Sequence, residues 1–217
     1  MAHSLYHWNQ FNEHLFILIN KFTNFGIFPY ILQQLSSIFF IGNFVIAYIL
    51  ACIFCYFKIR NSTNRSHEFY QNYQELTRIG TCYALFGFTF AALKFSVNLP
   101  RPFCSLADNE FVTIANLSAE RCLSSFPSAH TGLALLITYC LWPHMNKFYK
   151  LLAGCIVILV ALSRITLAMH YPADIIYSAI VTTIVIIAGN GIHSLAKSNI
   201  ITPIGKFIFK HLFNNSK

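Results

Sequence analysis

The sequence predicts an all-α fold, an integral-membrane helical bundle of about five transmembrane helices with an interfacial helix at its N-terminus. Three observations carry this. The chain of 217 residues is 56% hydrophobic and only 10% charged. Its charge-free runs reach the length that crosses a bilayer, about 20 residues. Its basic residues fall mainly on one side of those runs. In lipid, a helix satisfies its own backbone groups, so apolar runs of this length read as helices.

In chain order, the first element is the N-terminal segment, 1–35. Its apolar run, Leu15 to Ile19, is too short for a signal peptide and no basic region precedes it. Phe11, Leu15, Leu18 and Phe22 recur at spacings of four, three and four, a helical stripe. With Trp8 beside it, the stripe suits a helix lying in the membrane interface, and a simple packing helix fits it equally. Ser36 to Phe57 is the first expected span, 22 residues without a charge. The polar stretch Asn61 to Arg78 then reads as a connection. Ile79 to Leu93, with the residues after Lys94, is the second span. His130 to Trp142 is the third, short and stopped by Pro143. Leu151 to Leu162 becomes the fourth when extended from near Phe148 to near Arg164. Ile175 to Ile192, 18 residues without charge, is the fifth. One domain over 1–217 follows, with a bundle over 36–195 and a cytoplasmic tail over 196–217.

The net charge of +8 does not point to nucleic acid, because the charges are distributed as membrane proteins distribute them. With the first segment placed outside, one face holds Lys58, Arg60, Arg65, Arg78, Lys147, Lys150, Lys197, Lys206, Lys210 and Lys217. The other holds Lys21, Lys94, Arg101, Arg121 and Arg164. Ten against five assigns the first face to the cytoplasm. Of the seven cysteines, Cys52, Cys55, Cys82, Cys140 and Cys155 fall within spans, where cysteine acts as a small apolar residue. Cys104 and Cys122 lie at opposite ends of the outer loop and are a disulfide candidate if that loop meets an oxidising compartment.

Three polar clusters interrupt this apolar chain. "KFSVNLPRP" carries Lys94, Arg101 and Pro102. "FPSAH" carries Ser128, Ala129 and His130. "SRITLAMHYPAD" carries Ser163, Arg164, His170 and Asp174. Each falls at an outer end of an expected span, so topology brings them to one level. Singly, each has an ordinary explanation. A lone lysine or arginine snorkels, Ser128 caps a helix, and Asp174 in a first turn after Pro172 favours the helix dipole. Together, three cations, two histidines and one carboxylate on one rim suit a phosphate ester. The cations would hold its oxygens, and the amides after Ser128 would add an anion site at a helix N-terminus. His170 would attack phosphorus and His130 would protonate the leaving oxygen. Asp174, four residues after His170, would fix the tautomer of the nucleophile. The residue set suggests no metal and no cofactor.

The three clusters resemble the signature of the type 2 phosphatidic acid phosphatase (PAP2) superfamily: Lys-x(6)-Arg-Pro, Pro-Ser-Gly-His, and Ser-Arg-x(5)-His-x(3)-Asp. The first is matched by Lys94, Arg101 and Pro102, and the third by Ser163, Arg164, His170 and Asp174. The middle one departs once, with Ala129 where the family usually has glycine, which keeps the backbone amide and narrows the space beside the phosphate. The motifs span 94–174, and the apolar spans extend the likeness to 36–195. The resemblance implies metal-free phosphohistidine chemistry on a lipid phosphate, with Lys94, Arg101, Ser128 and Arg164 on the phosphate.

Three rivals share parts of this pattern. Vanadium haloperoxidases resemble it in motif and are soluble, which the spans oppose. A phosphotransferase would pass the phosphoryl group from His170 to another lipid. A non-enzymatic lipid-binding or transport protein would need helix breaks at mid-membrane, and here the polar residues gather at the rim. Substrate candidates are phosphatidylglycerophosphate, phosphatidate, undecaprenyl diphosphate and the 1-phosphate of lipid A. A composition rich in Ile, Asn, Lys and Phe suits an AT-rich bacterium, so the expected location is a bacterial inner membrane with the site facing the periplasm. Oligomeric state is not legible.

Overall fold

The computed structural model describes residue 6 and residues 8–214. Lys217, counted in the charge tally, and residues 1–5 of the N-terminal segment lie outside the described residues. The described chain is helical, and its one strand-like contact is an isolated bridge between Pro100 and Leu123. It divides into two compact units.

The first unit takes in residues up to 41 and residues 88–183. It opens with α1 (Phe11–Thr23) and α2 (Phe28–Ile38), joined at a 110° bend. Gly26 sits in this bend at φ +52, a conformation that glycine adopts without strain. Taken together, the pair is apolar enough to form one broken or re-entrant span. The expected first span therefore begins late: Ser36 to Ile38 close α2, and the next helix starts at Ile41. The apolar run conceals this break because Phe39 and Phe40 are themselves apolar.

Two further helices lie wholly or mainly in this unit. These are α5 (Ala129–Leu141) and α6 (Lys147–Thr166), the second capped by Asn146, whose side chain accepts from the Tyr149 amide. α5 has 13 residues and runs on into a 3-10 turn at Trp142–His144, so it is as short for a bilayer as the expected third span. Pro143 ends it as the sequence suggests. α1, α2 and α5 all pack on α6. Two helices contribute only one end each. α4 (Arg65–Ser96) supplies its last residues, and α7 (Pro172–Ala196) supplies its first.

The second unit takes in residues 42–87 and 184–217. It contains α3 (Ile41–Arg60) from residue 42 onward, the early part of α4 and the later part of α7. α4 and α7 approach closely where a Cβ on Gly189 would meet Cys82 Sγ at 2.8 Å. The tail is helical. After α7 the chain runs on through a π-turn (Lys197–Ile201), α8 (Thr202–Phe209) and a second π-turn (Lys210–Asn214). Phe213 is buried with Ile59 and Phe69, which explains why this end keeps its helical form.

Four helices are long and apolar enough to cross a membrane, and the bent pair raises the number to five. α3 shows the reason most plainly: Val45, Ile46, Ile49, Leu50, Ile53, Phe54 and Phe57 are all exposed. An apolar surface of that extent has lipid as its natural solvent.

Candidate active site

The last turn of α6 and the turn that follows it set the position of His170. Ala168 adopts a left-handed conformation, φ 56, which ordinarily costs an L-residue about 1–2 kcal/mol. The turn is held because the Met169 and His170 amides both donate to the Arg164 carbonyl, at 2.9 and 3.1 Å, and Ala168 is fully buried. These bonds use a carbonyl that the end of α6 would otherwise leave unpaired.

α7 starts immediately after. Pro172 takes its first position, and the Asp174 side chain reaches back to accept from the Tyr171 amide at 2.9 Å, the reciprocal half of a capping box. The Ala173 amide, another orphan of this first turn, donates to Asn12 Oδ1 of α1 at 2.9 Å. Asp174 therefore has the structural role its position suggested, and it also meets the histidine. His170 Nδ1 stands 3.5 Å from Asp174 Oδ2, the outer limit of a hydrogen bond, and has no closer partner. Burial pushes the His170 imidazole down to about 3, against the upward pull of the Asp174 carboxylate.

Ser128 is the N-cap of α5, yet its side chain does not cap the helix. Its hydroxyl pairs instead with Thr131 Oγ1 at 3.1 Å, and Ser178 Oγ donates to its carbonyl at 2.7 Å. The first-turn amides, Ala129 and His130 among them, thus begin a helix without a side-chain cap. Ser163 turns away, donating to the Val160 carbonyl at 2.6 Å.

The three cations come from three segments. Lys94 Nζ donates to the Ser124 carbonyl at 3.0 Å. Arg101 pairs with Glu120 at 2.5 Å and reaches Met169 Sδ at 3.3 Å. Arg164, nearly buried, donates from Nη1 to Ser36 Oγ at 3.2 Å. Their charges act on one another and on the histidines. His130 feels Arg164, His170, Lys94 and Arg101, and Lys94 feels Arg101, Asp174 and Arg164. Nε of both Arg101 and Arg164 is buried without a hydrogen-bond partner. Such donors are costly unless something accepts from them, and an anion would. Lys94, Arg101, His130, Arg164, His170 and Asp174 therefore act on one another within the first unit. Among the described residues, no three His, Cys, Asp or Glu side chains gather closely enough to hold a metal ion.

The loop after Arg101 is fastened beside this cluster. Cys104 and Cys122 are joined, with Cα atoms 5.6 Å apart, and the Arg101 amide donates to the Cys122 carbonyl at 2.8 Å. This places Glu120 on Arg101, a contact that the motif spacing does not contain.

Sequence reasoning missed the residues that support the site. Tyr6 Oη donates to Asp174 Oδ1 at 2.8 Å, and Ser125 Oγ donates to Oδ2 at 2.5 Å. Asn20 of α1, fully buried, donates to the Val112, Ile165 and Thr166 carbonyls and accepts from the Val112 amide. Only Ser125 had a signal, three residues before Ser128. Tyr6 lies 168 positions from its partner, beyond any local pattern.

Three cations, two histidines and a carboxylate thus act on one another within an apolar helical chain. Residues 75–214 match the PAP2 superfamily, and the chain belongs to it. Its fold is similar to the crystal structure of Aquifex aeolicus LpxE, with a TM-score of 0.64 and 21% identity, covering 82% of this chain and 93% of that one. No curated protein matches the chain.

Proposed function

We propose that the protein hydrolyses a phosphate group from a lipid head group at the outer membrane surface through a phosphohistidine intermediate, without a metal. The observation that carries this reading is the convergence of Lys94, Arg101 and Arg164 on His130, His170 and Asp174, with two buried guanidinium nitrogens left for an anion. The ten-against-five division of basic residues favours the outward-facing site, and a bacterial inner membrane remains the proposed location.

In this reading Asp174 holds the proton on His170 Nδ1, leaving the Nε2 lone pair for phosphorus. The Nε2–P bond forms as the P–O ester bond breaks. His130 passes its proton to the departing alkoxide. Water then attacks the phosphohistidine, His130 takes the proton, and inorganic phosphate leaves. Lys94, Arg101, Arg164 and the amides at the start of α5, from Ala129 onward, hold the oxygens on which charge develops. Phosphatidate, phosphatidylglycerophosphate, undecaprenyl diphosphate and lipid A 1-phosphate all present such a group.

Phosphate release from these four lipids by the purified protein, measured beside His170→Ala, tests the proposal. Wild type should release phosphate from at least one lipid and yield a base-stable, acid-labile phosphoenzyme. Folded His170→Ala should do neither. Substantial turnover by that variant would remove the nucleophile. Transfer of label to an acceptor lipid in place of water would identify a phosphotransferase.

A further inference from the structure

The Asp174 carboxylate is fully buried, and His170 is its most distant partner. Tyr6 donates to Oδ1 at 2.8 Å, Ser125 to Oδ2 at 2.5 Å and the Tyr171 amide to Oδ2 at 2.9 Å, whereas His170 Nδ1 is 3.5 Å away. A carboxylate offers about four acceptor positions. Three are already taken by neutral donors at ordinary distances, and each such bond disperses the charge and weakens the pull on a fourth partner.

We propose that Tyr6 is a positioning residue of the catalytic unit, whose hydroxyl orients the Asp174 carboxylate and restrains its pull on His170, so that the imidazole is held in one tautomer yet stays neutral. The inference rests on the reading of His170 as nucleophile. An imidazole that gained a second proton would have no lone pair for phosphorus. A carboxylate that gripped the ring too strongly would favour that proton.

The placement of Tyr6 suits this role. Its ring stands edge-on to Tyr171, centroids 6.4 Å apart, and to Phe126 at 6.3 Å. It packs in one core cluster with Phe16, Ala168 and Ala173. The phenol is thus fixed by apolar walls rather than by a mobile stem. Phenylalanine would fill that space as well. A buried hydroxyl costs free energy unless it is bonded, and the bond made here is to the carboxylate beside the nucleophile. Lys94, Arg164 and His130 also act on His170, and the two cations oppose protonation of its ring. Tyr171 also acts on Asp174, and Glu13 and Glu110 act on Tyr171 in turn. Tyr6 and Ser125 therefore complete a balance in which the carboxylate is strong enough to orient the ring and too well satisfied to charge it.

The test uses the full-length protein in detergent with 15N-labelled histidine rings, and the His170 signals are assigned by their absence in His170→Ala. In Tyr6→Phe, the Nδ1 proton should move downfield at neutral pH and the ring should begin to titrate at higher pH. On whichever lipid the wild type turns over, kcat should fall by roughly two- to tenfold while KM stays within about twofold, the span one hydrogen bond allows. Ser125→Ala should shift the ring signals in the same direction. Site-specific 3-fluorotyrosine at position 6, a stronger donor in the same volume, should shift them in the opposite direction. Ring signals superimposable on wild type in both position-6 variants would overturn the proposal and leave Tyr6 as a packing residue. Turnover in His170→Ala would instead defeat the nucleophile reading, and the ring shifts, read without turnover, would still report whether Tyr6 acts on His170.

Discussion

Replacing Asn20 by alanine should destabilise the protein by about 3 kcal/mol, at roughly 1 kcal/mol for each net hydrogen bond. The carboxamide nitrogen has two hydrogens and serves three carbonyls, Val112 at 2.9 Å, Ile165 at 3.1 Å and Thr166 at 3.1 Å. The oxygen accepts from the Val112 amide at 2.8 Å. That is three hydrogen bonds, shared among four backbone groups. The groups left behind are not all stranded. The Ile165 carbonyl keeps the Ala168 amide, the Thr166 carbonyl keeps the Asn24 side chain, and Val112 is exposed to water. The cost therefore follows the net worth of three bonds, not the larger penalty of isolated buried groups. For a chain of this size, 3 kcal/mol lowers Tm by about 6–12 °C. Thermal unfolding of the detergent-purified variant measures it, with Asn24→Ala, whose bonds are more exposed, as the smaller reference change. Because Asn20 ties α1 to the last turn of α6, kcat measured well below Tm should also fall. A Tm within about 2 °C of wild type, or a cost no greater than that of Asn24→Ala, would show that Asn20 does not clamp the turn before His170.

Glu120→Gln should release Arg101 and tighten competitive inhibition by vanadate by up to about fivefold, the upper range for a partly exposed ion pair; an unchanged inhibition constant would place Glu120 outside the phosphate path. Stability should fall with acid. His170 has a folded value of about 3 against an unfolded value near 6.5, so the unfolded state binds the extra proton, and stability present above about pH 6.5 is lost progressively toward pH 3. His170→Gln should flatten that dependence in a denaturation series across pH. Chelator should leave activity intact while vanadate abolishes it, and loss with chelator that a divalent ion restores would refute metal-free chemistry. His130→Ala should slow alkyl phosphates by about 10²–10⁴-fold and aryl phosphates much less, and equal losses on both would make His130 a binding residue.

The helical class and the proposed site residues were legible in the sequence because both are local signals. Charge-free runs of bilayer length determine which solvent the segments face. Lys94, Arg101, Ser128, His130, Arg164, His170 and Asp174 announce themselves because charge and imidazole are rare among apolar helices and recur there at fixed spacings. Span boundaries were less legible. The break before Ile41 lies in an unbroken apolar run, and α5 is a short helix whose hydropathy resembles that of a span. Other features required the tertiary structure. The bonds from Tyr6 to Asp174, from Asn20 to the end of α6 and from Ser36 to Arg164 join residues more than a hundred positions apart, and no periodicity encodes such pairs. Tertiary packing also set Glu120 on Arg101. Sequence can show that a carboxylate sits one helical turn from a histidine. How tightly that carboxylate grips the ring depends on the other donors that packing delivers to its two oxygens.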